Sequence, residues 1–220
     1  LGPVAAANVR NLRLDYDRSA RVPADLITAL ARATSSAHQI WIDARQRDDF
    51  SSFAPSLKSI VSLKQQVADC DDDAVCRYDV LLDEYEPGAK STEIAAVLES
   101  LRQELVPLVQ QIADSPVTAD DAILRREYPV DDQASFATFA AAQIGFDFDR
   151  GRIDIAHHPF CTELGPHDCR ITTRYDANFF SSAFFGTLHE AGHGIYEQGL
   201  PESEYGLPSG RYCSLGIHES

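Results

Sequence analysis

The sequence is short of basic residues and has no long apolar run. It holds 19 lysine and arginine residues against 34 aspartate and glutamate residues, for a formal net charge of −15. Such a charge repels the phosphates of nucleic acids and acidic membrane surfaces. No segment reaches the roughly 18 consecutive apolar residues of a membrane helix. We therefore expect no nucleic-acid partner and no membrane partner.

Cysteine is also scarce, and its spacing is not that of a disulfide framework. The five cysteines are Cys70, Cys76, Cys161, Cys169 and Cys213. An odd number without CxxC pairs is typical of reduced thiols, and the apolar opening of the chain lacks the basic leader of an export signal. These features favour a cytoplasmic protein. The last three cysteines are an alternative zinc-thiolate site, but their wide spacing favours thiols that only pack.

The most informative stretch is the run from His189 to His193, which reads His-Glu-Ala-Gly-His. On a helix, residues four apart lie about 40° from each other around the axis, so both imidazoles can reach one ion. Glu190 is placed to take a proton from metal-bound water. The pattern predicts a zinc hydrolase site. The competing interpretation is a helix whose histidines bond to core groups, which is an unusual way to pack a core.

An apolar stripe supports a helix around this motif. Its members recur at helical spacing and are Phe180, Phe184, Leu188, Ala191 and Ile195. Asn178 is a candidate cap for the start of the helix. Gly199 and Pro201 mark its end.

A catalytic zinc site needs a third protein ligand and an open position. Glu219 is our candidate, since it follows a loop rich in glycine, proline and serine (residues 206–210) that can turn the chain back toward the helix. Its neighbour His218 is the competing ligand, because three histidines also make a sensible zinc site. Spacing alone leaves this choice open.

The rest of the chain predicts a mainly helical protein with a small sheet. Helical spacing of apolar residues extends over residues 26–47, 55–68, 94–112 and 131–144, and Pro107 is expected to kink or divide the third of these helices. Alternation around Ile153 and Ile171 then predicts two short strands beside the metal helix. With no repeat or linker, we expect a single domain of residues 1–220: a helical scaffold (1–146), then strands and the metal-binding helix (150–220).

Four motifs resemble, in order and spacing, those of the thermostable carboxypeptidase Taq family of zinc metallocarboxypeptidases. They are His158 to Phe160, Asp168 to Tyr175, His189 to His193, and His218 to Ser220. The resemblance implies a mainly α, helical zincin-like metallopeptidase that removes C-terminal residues from peptide substrates. It also implies a homodimer.

The same resemblance implies roles for residues of the site. His189, His193 and Glu219 would hold the metal, and Glu190 would be general base and acid. This decides the third ligand in favour of Glu219. The expected ion is Zn²⁺, with Co²⁺ or Mn²⁺ as alternatives.

Two of the motifs add candidates for substrate binding or for support of the ligands: His158, Pro159, Phe160, Asp168, Arg170 and Thr172. The first three would line a subsite, since proline fixes the turn and phenylalanine offers an apolar wall. The other three share one side of a strand. The competing interpretation is an ordinary solvated strand face, with His158 as a strand cap.

Family members are longer and carry further motifs downstream, including arginines that hold the substrate's terminal carboxylate. This chain begins at Leu1, contains no methionine and stops one residue after Glu219. We therefore expect an internal piece of a longer protein, which alone binds metal weakly and hydrolyses little. The alternatives are a zinc endopeptidase or aminopeptidase with the same metal chemistry, and an inactive truncated scaffold.

Overall fold

Helices dominate the computed structural model, which describes residues 2–219. The helices are α1 (Pro3–Arg21), α2 (Ala24–Gln46), α3 (Phe50–Ala68), α4 (Arg77–Leu82), α5 (Ser91–Ala113), α6 (Val130–Ile144), α7 (Phe180–Gln198) and α8 (Leu215–His218). The strands are β1 (Gly151–Ile155), β2 (Cys161–Gly165) and β3 (Asp168–Thr173). The expected fold class, mainly α with a small sheet, is confirmed. None of the helices in this part of the chain is long and apolar enough to span a membrane.

The chain forms two compact units that divide within α5, the first up to Val109 and the second from Gln110. This division differs from the expected one between a scaffold and a site segment, because α6 belongs with the second unit. The interpretation of residues 1–220 as a single domain stays a prediction.

In the first unit, α2 and α3 form the main helix pair. The carboxylate of Asp49 caps α3 by accepting a hydrogen bond from the backbone N–H of Ser52. Pro107 does not divide α5, which continues through it as one helix. The other expectation for Pro107, a kink, stays a prediction.

In the second unit, the sheet has the order β1-β3-β2. β1 runs parallel to β3, with Ile153 opposite Ile171, and β2 runs antiparallel to β3. The two predicted strands are therefore neighbours. The third strand, β2, was not predicted, because its sequence, Cys-Thr-Glu-Leu-Gly, has no alternation of apolar and polar residues.

The core of the second unit lies between the sheet, α6 and α7. Its buried members are Ala141, Phe146, Cys169, Ile171 and Ala191. Gly145 ends α6 in the left-handed conformation (φ 112°), as expected from its position. The ring of Phe184 stacks on those of Phe136 and Phe180, and these contacts join α6 to the start of α7. The core thus fixes α7, the helix that carries the histidine motif.

Candidate metal centre

Helix α7 spans Phe180–Gln198 and is followed by Gly199, close to the predicted end. The predicted cap is wrong, because Phe179 holds the N-cap position and no side chain caps the helix. Asn178 instead belongs to the preceding turn, where its backbone N–H donates to the carboxylate of Asp176.

Two features hold α7 close to β3 and to Phe146, which follows α6. Thr187 donates a hydrogen bond of 3.1 Å to the hydroxyl of Thr173, which in turn donates to the backbone oxygen of Ala183. A Cβ at Gly194 would lie 2.5 Å from the ring of Phe146, so only glycine permits this approach. None of these residues is among the predicted site residues. The sequence signal for this close packing is a glycine directly after His193, inside a predicted helix.

Three candidate ligand atoms converge beside α7. The Nε2 atoms of His189 and His193 lie 3.1 Å apart, and Oε2 of Glu219 lies 3.5 Å from each of them. Zinc bonds of 2.0–2.1 Å in a tetrahedron require about 3.3 Å between ligand atoms. The donor set and its spacing therefore fit a zinc ion.

Among residues 2–219, these three side chains are the only group of three or more His, Cys, Asp or Glu residues with ligand atoms all within 4.8 Å. The alternative thiolate group is not assembled. Cys161 and Cys169 approach each other to 3.7 Å between sulfur atoms, while Cys213 is exposed.

The two imidazoles have different environments. The side chain of His193 is only 9% exposed, whereas those of His189 and Glu219 are 55% and 49% exposed. An ion held here would thus have protein behind it and solvent in front. This arrangement leaves the open position that a catalytic site requires.

Glu190 is buried beside the ligand group. Burial raises the pKa of its carboxyl group, and the neighbouring His189 and His193 oppose this shift. A carboxylate with a raised pKa accepts a proton more readily near neutral pH. The position suits a general base.

His218, the competing ligand, does not join the group. Its ring stacks on His193 with 4.4 Å between centroids, and its Nε2 atom lies 3.0 Å from Oε1 of Glu197. Burial lowers the pKa of His218 and raises that of Glu197, with Glu163 adding to the latter shift. Both groups therefore lean toward their neutral forms.

The segment from His158 to Phe160 is attached to β3 through Thr172. The hydroxyl of Thr172 accepts a hydrogen bond of 2.9 Å from the backbone N–H of Phe160 and lies 3.2 Å from the backbone oxygen of His158. Of the groups that oppose the raised pKa of Glu190, His158 has the weakest influence. His158 itself is exposed.

Asp168 and Arg170 bind each other on β3. The guanidinium donates two hydrogen bonds of 2.8 Å to the carboxylate, and this contact holds the pKa of Asp168 below its usual range. Both side chains remain about 40% exposed. They are free to meet a substrate, and that role stays a prediction.

The fold and the ligand triangle define a candidate metal centre of the kind found in metallopeptidases, on a helix that packs against a small sheet. The chain belongs to the carboxypeptidase Taq (M32) metallopeptidase family, whose model matches residues 3–220. The resemblance drawn from the four motifs is thereby confirmed. Membership implies a metal cofactor.

The chain is similar to curated carboxypeptidases and to a solved structure. It is 42% identical to thermostable carboxypeptidase 1 of Thermus thermophilus over 98% of this chain and 44% of the relative. It is 34% identical to carboxypeptidase 1 of Bacillus subtilis over 94% of this chain and 41% of the relative. The crystal structure of the M32 carboxypeptidase from Deinococcus radiodurans R1 aligns with a TM-score of 0.85 at 34% identity, over 99% of this chain and 44% of that one. The chain thus spans less than half the length of these relatives.

Proposed function

We propose that the protein is a metallocarboxypeptidase that hydrolyses the C-terminal peptide bond of peptide substrates by zinc-activated water. The observation that carries the proposal is the triangle of His189, His193 and Glu219, with 3.1–3.5 Å between the ligand atoms. The names of the relatives support the choice of reaction. Co²⁺ or Mn²⁺ could replace Zn²⁺ in the same donor set. The proposal also includes a cytoplasmic location and a homodimer.

In this mechanism the two histidines and Glu219 hold the ion. When bound, zinc polarises the scissile carbonyl and lowers the pKa of water toward about 7. Glu190 takes the proton of the attacking water and delivers it to the nitrogen of the leaving amino acid. Its burial favours the protonated form between these two steps. His158, Phe160 and the β3 residues would contact the peptide.

The first test separates catalysis from metal binding. Glu190→Gln removes the base but leaves the three ligands, so we expect turnover to fall by at least about 10²-fold while zinc stays bound. His189→Ala, the matched control on the same helix, should lose both. Zinc content and peptide hydrolysis are measured on each purified variant. A loss of zinc in Glu190→Gln equal to that in His189→Ala would make Glu190 a ligand or structural residue.

The second test identifies the kind of peptidase. A peptide with a free carboxyl end and its C-terminally amidated twin are incubated with the full-length protein, and the products are identified by mass spectrometry. We expect loss of single C-terminal residues from the first peptide and no cleavage of the second. Cleavage of the amidated peptide would favour an endopeptidase or aminopeptidase. Inactivity toward both, unchanged by added zinc or by a chelator, would favour the scaffold alternative.

A further inference from the structure

One face of α7 carries three polar side chains, each one turn after the last: His189, His193 and Glu197. His218, the last residue of α8, and Glu219, which follows it, lie against this row. Glu219 approaches His189 and His193, with 3.5 Å to each, whereas His218 approaches His193 and Glu197. Glu219 therefore contacts the first and second residues of the row, and its neighbour His218 contacts the second and third.

The ring of His218 is enclosed by aromatic partners. It stacks between His193, at 4.4 Å and 20°, and Tyr212, at 4.7 Å and 23°, while Tyr196 meets it edge-on at 5.3 Å. Since the rings of His193 and His218 are nearly parallel, rotation of one is blocked by the other. The stack therefore holds the orientation in which Nε2 of His193 faces that of His189.

The contact between His218 and Glu197 is buried. Their side chains are 13% and 10% exposed, and Nε2 of His218 lies 3.0 Å from Oε1 of Glu197 without forming an aligned hydrogen bond. Burying two polar groups is unfavourable unless each has a polar neighbour. Each group has the other as a close polar neighbour only when α8 lies on α7 in this way, so the contact favours this arrangement.

Helix α8 is only four residues long, and the hydroxyl of Ser214 caps it by accepting from the backbone N–H of Ile217. A single turn is unstable without tertiary contacts. The backbone N–H of Glu219 bonds to the oxygen of Leu215, so Glu219 moves with the turn that carries His218.

Resting on the proposed metal function, we propose that Glu197 and His218 are a positioning pair that fixes the third ligand, Glu219, and the ring of His193 at the spacing the ion requires. His218 is then neither a ligand nor a catalytic residue. It acts through its two neighbours, one in sequence and one by stacking.

The test compares His218→Ala, Glu197→Ala and the double variant with Gln198→Ala. Gln198 is the matched control, because it follows Glu197 on α7 and makes two hydrogen bonds to the backbone of Asp147, away from α8. The zinc Kd is measured by competition with a chromophoric chelator, and the geometry by the visible spectrum of the Co²⁺-loaded protein. Stability of the metal-free protein is followed by urea unfolding.

We expect each single variant of the pair to raise the zinc Kd by about 10–100-fold, as loss of a partner that orients a ligand does elsewhere. The zinc Kd of the double variant should be no higher than the higher Kd of the two single variants, since the two residues act as one unit. The Co²⁺ spectrum should change in all three. Gln198→Ala should lower stability while leaving the Kd and the spectrum unchanged. Fully additive effects, or a wild-type Kd in His218→Ala, would overturn the proposal.

A metal-free readout separates this proposal from the metal function itself. Proton NMR of the apoprotein reports the ring of His193 through its stacking on His218, and we expect its signals to shift in His218→Ala and in Glu197→Ala but not in Gln198→Ala. If the wild type binds no zinc but the shifts occur, the proposed function fails and the positioning contact stands. If His193 signals do not respond, the positioning pair is wrong whatever the protein binds.

Discussion

The two units of the chain differ in the side chains that they bury. Among the described residues of the first unit, the buried apolar side chains are all alanines: Ala37, Ala44 and Ala68. The second unit buries a core with the larger side chains of Phe146 and Ile171. The metal centre lies entirely in the second unit, on the helix that packs against this core. The larger buried side chains thus lie in the unit whose ligand atoms need fixed spacing.

Ion pairs join several elements of the first unit. Arg18 pairs with Asp83, Arg21 with Asp71, and Lys64 with Glu84. Large apolar side chains stay exposed along its part of α5, including Val97, Leu98, Leu101, Leu105 and Val106. Helical periodicity alone would not distinguish this unit from the other, because the same spacing can be buried or exposed.

The largest expected effect comes from emptying the core of the second unit. Ile171→Ala removes a fully buried side chain from β3, and we expect the free energy of unfolding to fall by about 2–5 kcal/mol. Leu101→Ala in α5 is the control, since Leu101 is 54% exposed and should change stability by less than about 0.5 kcal/mol. Urea unfolding followed by circular dichroism measures both.

The single tryptophan, Trp41, makes this comparison sharper because it lies in α2 of the first unit. Its fluorescence reports that unit, while circular dichroism reports both. If the fluorescence and circular dichroism curves of Ile171→Ala coincide, the two units unfold together. If the curves separate, the second unit unfolds first. Equal losses from Ile171→Ala and Leu101→Ala would contradict the contrast between the units.

A smaller effect is expected at the contact between α7 and the core. Gly194→Ala places a Cβ 2.5 Å from the buried ring of Phe146, and such overpacking should lower the free energy of unfolding by about 1–3 kcal/mol. Gly186→Ala, on the same helix with open space around the new Cβ, should instead stabilise by up to about 1 kcal/mol. Thermal and urea unfolding of the two variants distinguish these signs. Stabilisation by both would show that α7 can move away from Phe146.

Local patterns explain which parts of the molecule the sequence predicts. The helices with strong apolar spacing, the strands around Ile153 and Ile171, and the end of α6 at Gly145 follow from nearest neighbours along the chain. Helix α1 and strand β2 do not. The opening of the chain was considered only as a possible export signal, although α1 is amphipathic, and its apolar residues are largely exposed, including Val9 and Leu14.

Some residues of the candidate site are likewise predictable from local spacing, and others are not. A helix fixes the relation of His189, Glu190 and His193, so their proximity follows from spacing alone. The choice between His218 and Glu219 depends on how a one-turn helix lies on α7, which is a tertiary contact and invisible in local pattern. Glu197 and Tyr212 were missed for the same reason, since their part in the site is only to contact His218.

The smallest effect is expected from the charges of the first unit. Arg18 lies 2.6 Å from Asp83, with both side chains about one-third exposed, so Arg18→Gln should lower the free energy of unfolding by about 1 kcal/mol at low salt. The control is Arg13→Gln on the same helix, whose pair with Asp17 is more exposed and should contribute nothing measurable. Because 1 M salt shortens the Debye length to about 3 Å, the loss in Arg18→Gln should shrink there, while that in Ile171→Ala should persist. Trp41 fluorescence in urea measures Arg18→Gln, and a loss unchanged by salt would mean that packing of the arginine stem, rather than charge, joins α1 to the turn at Asp83.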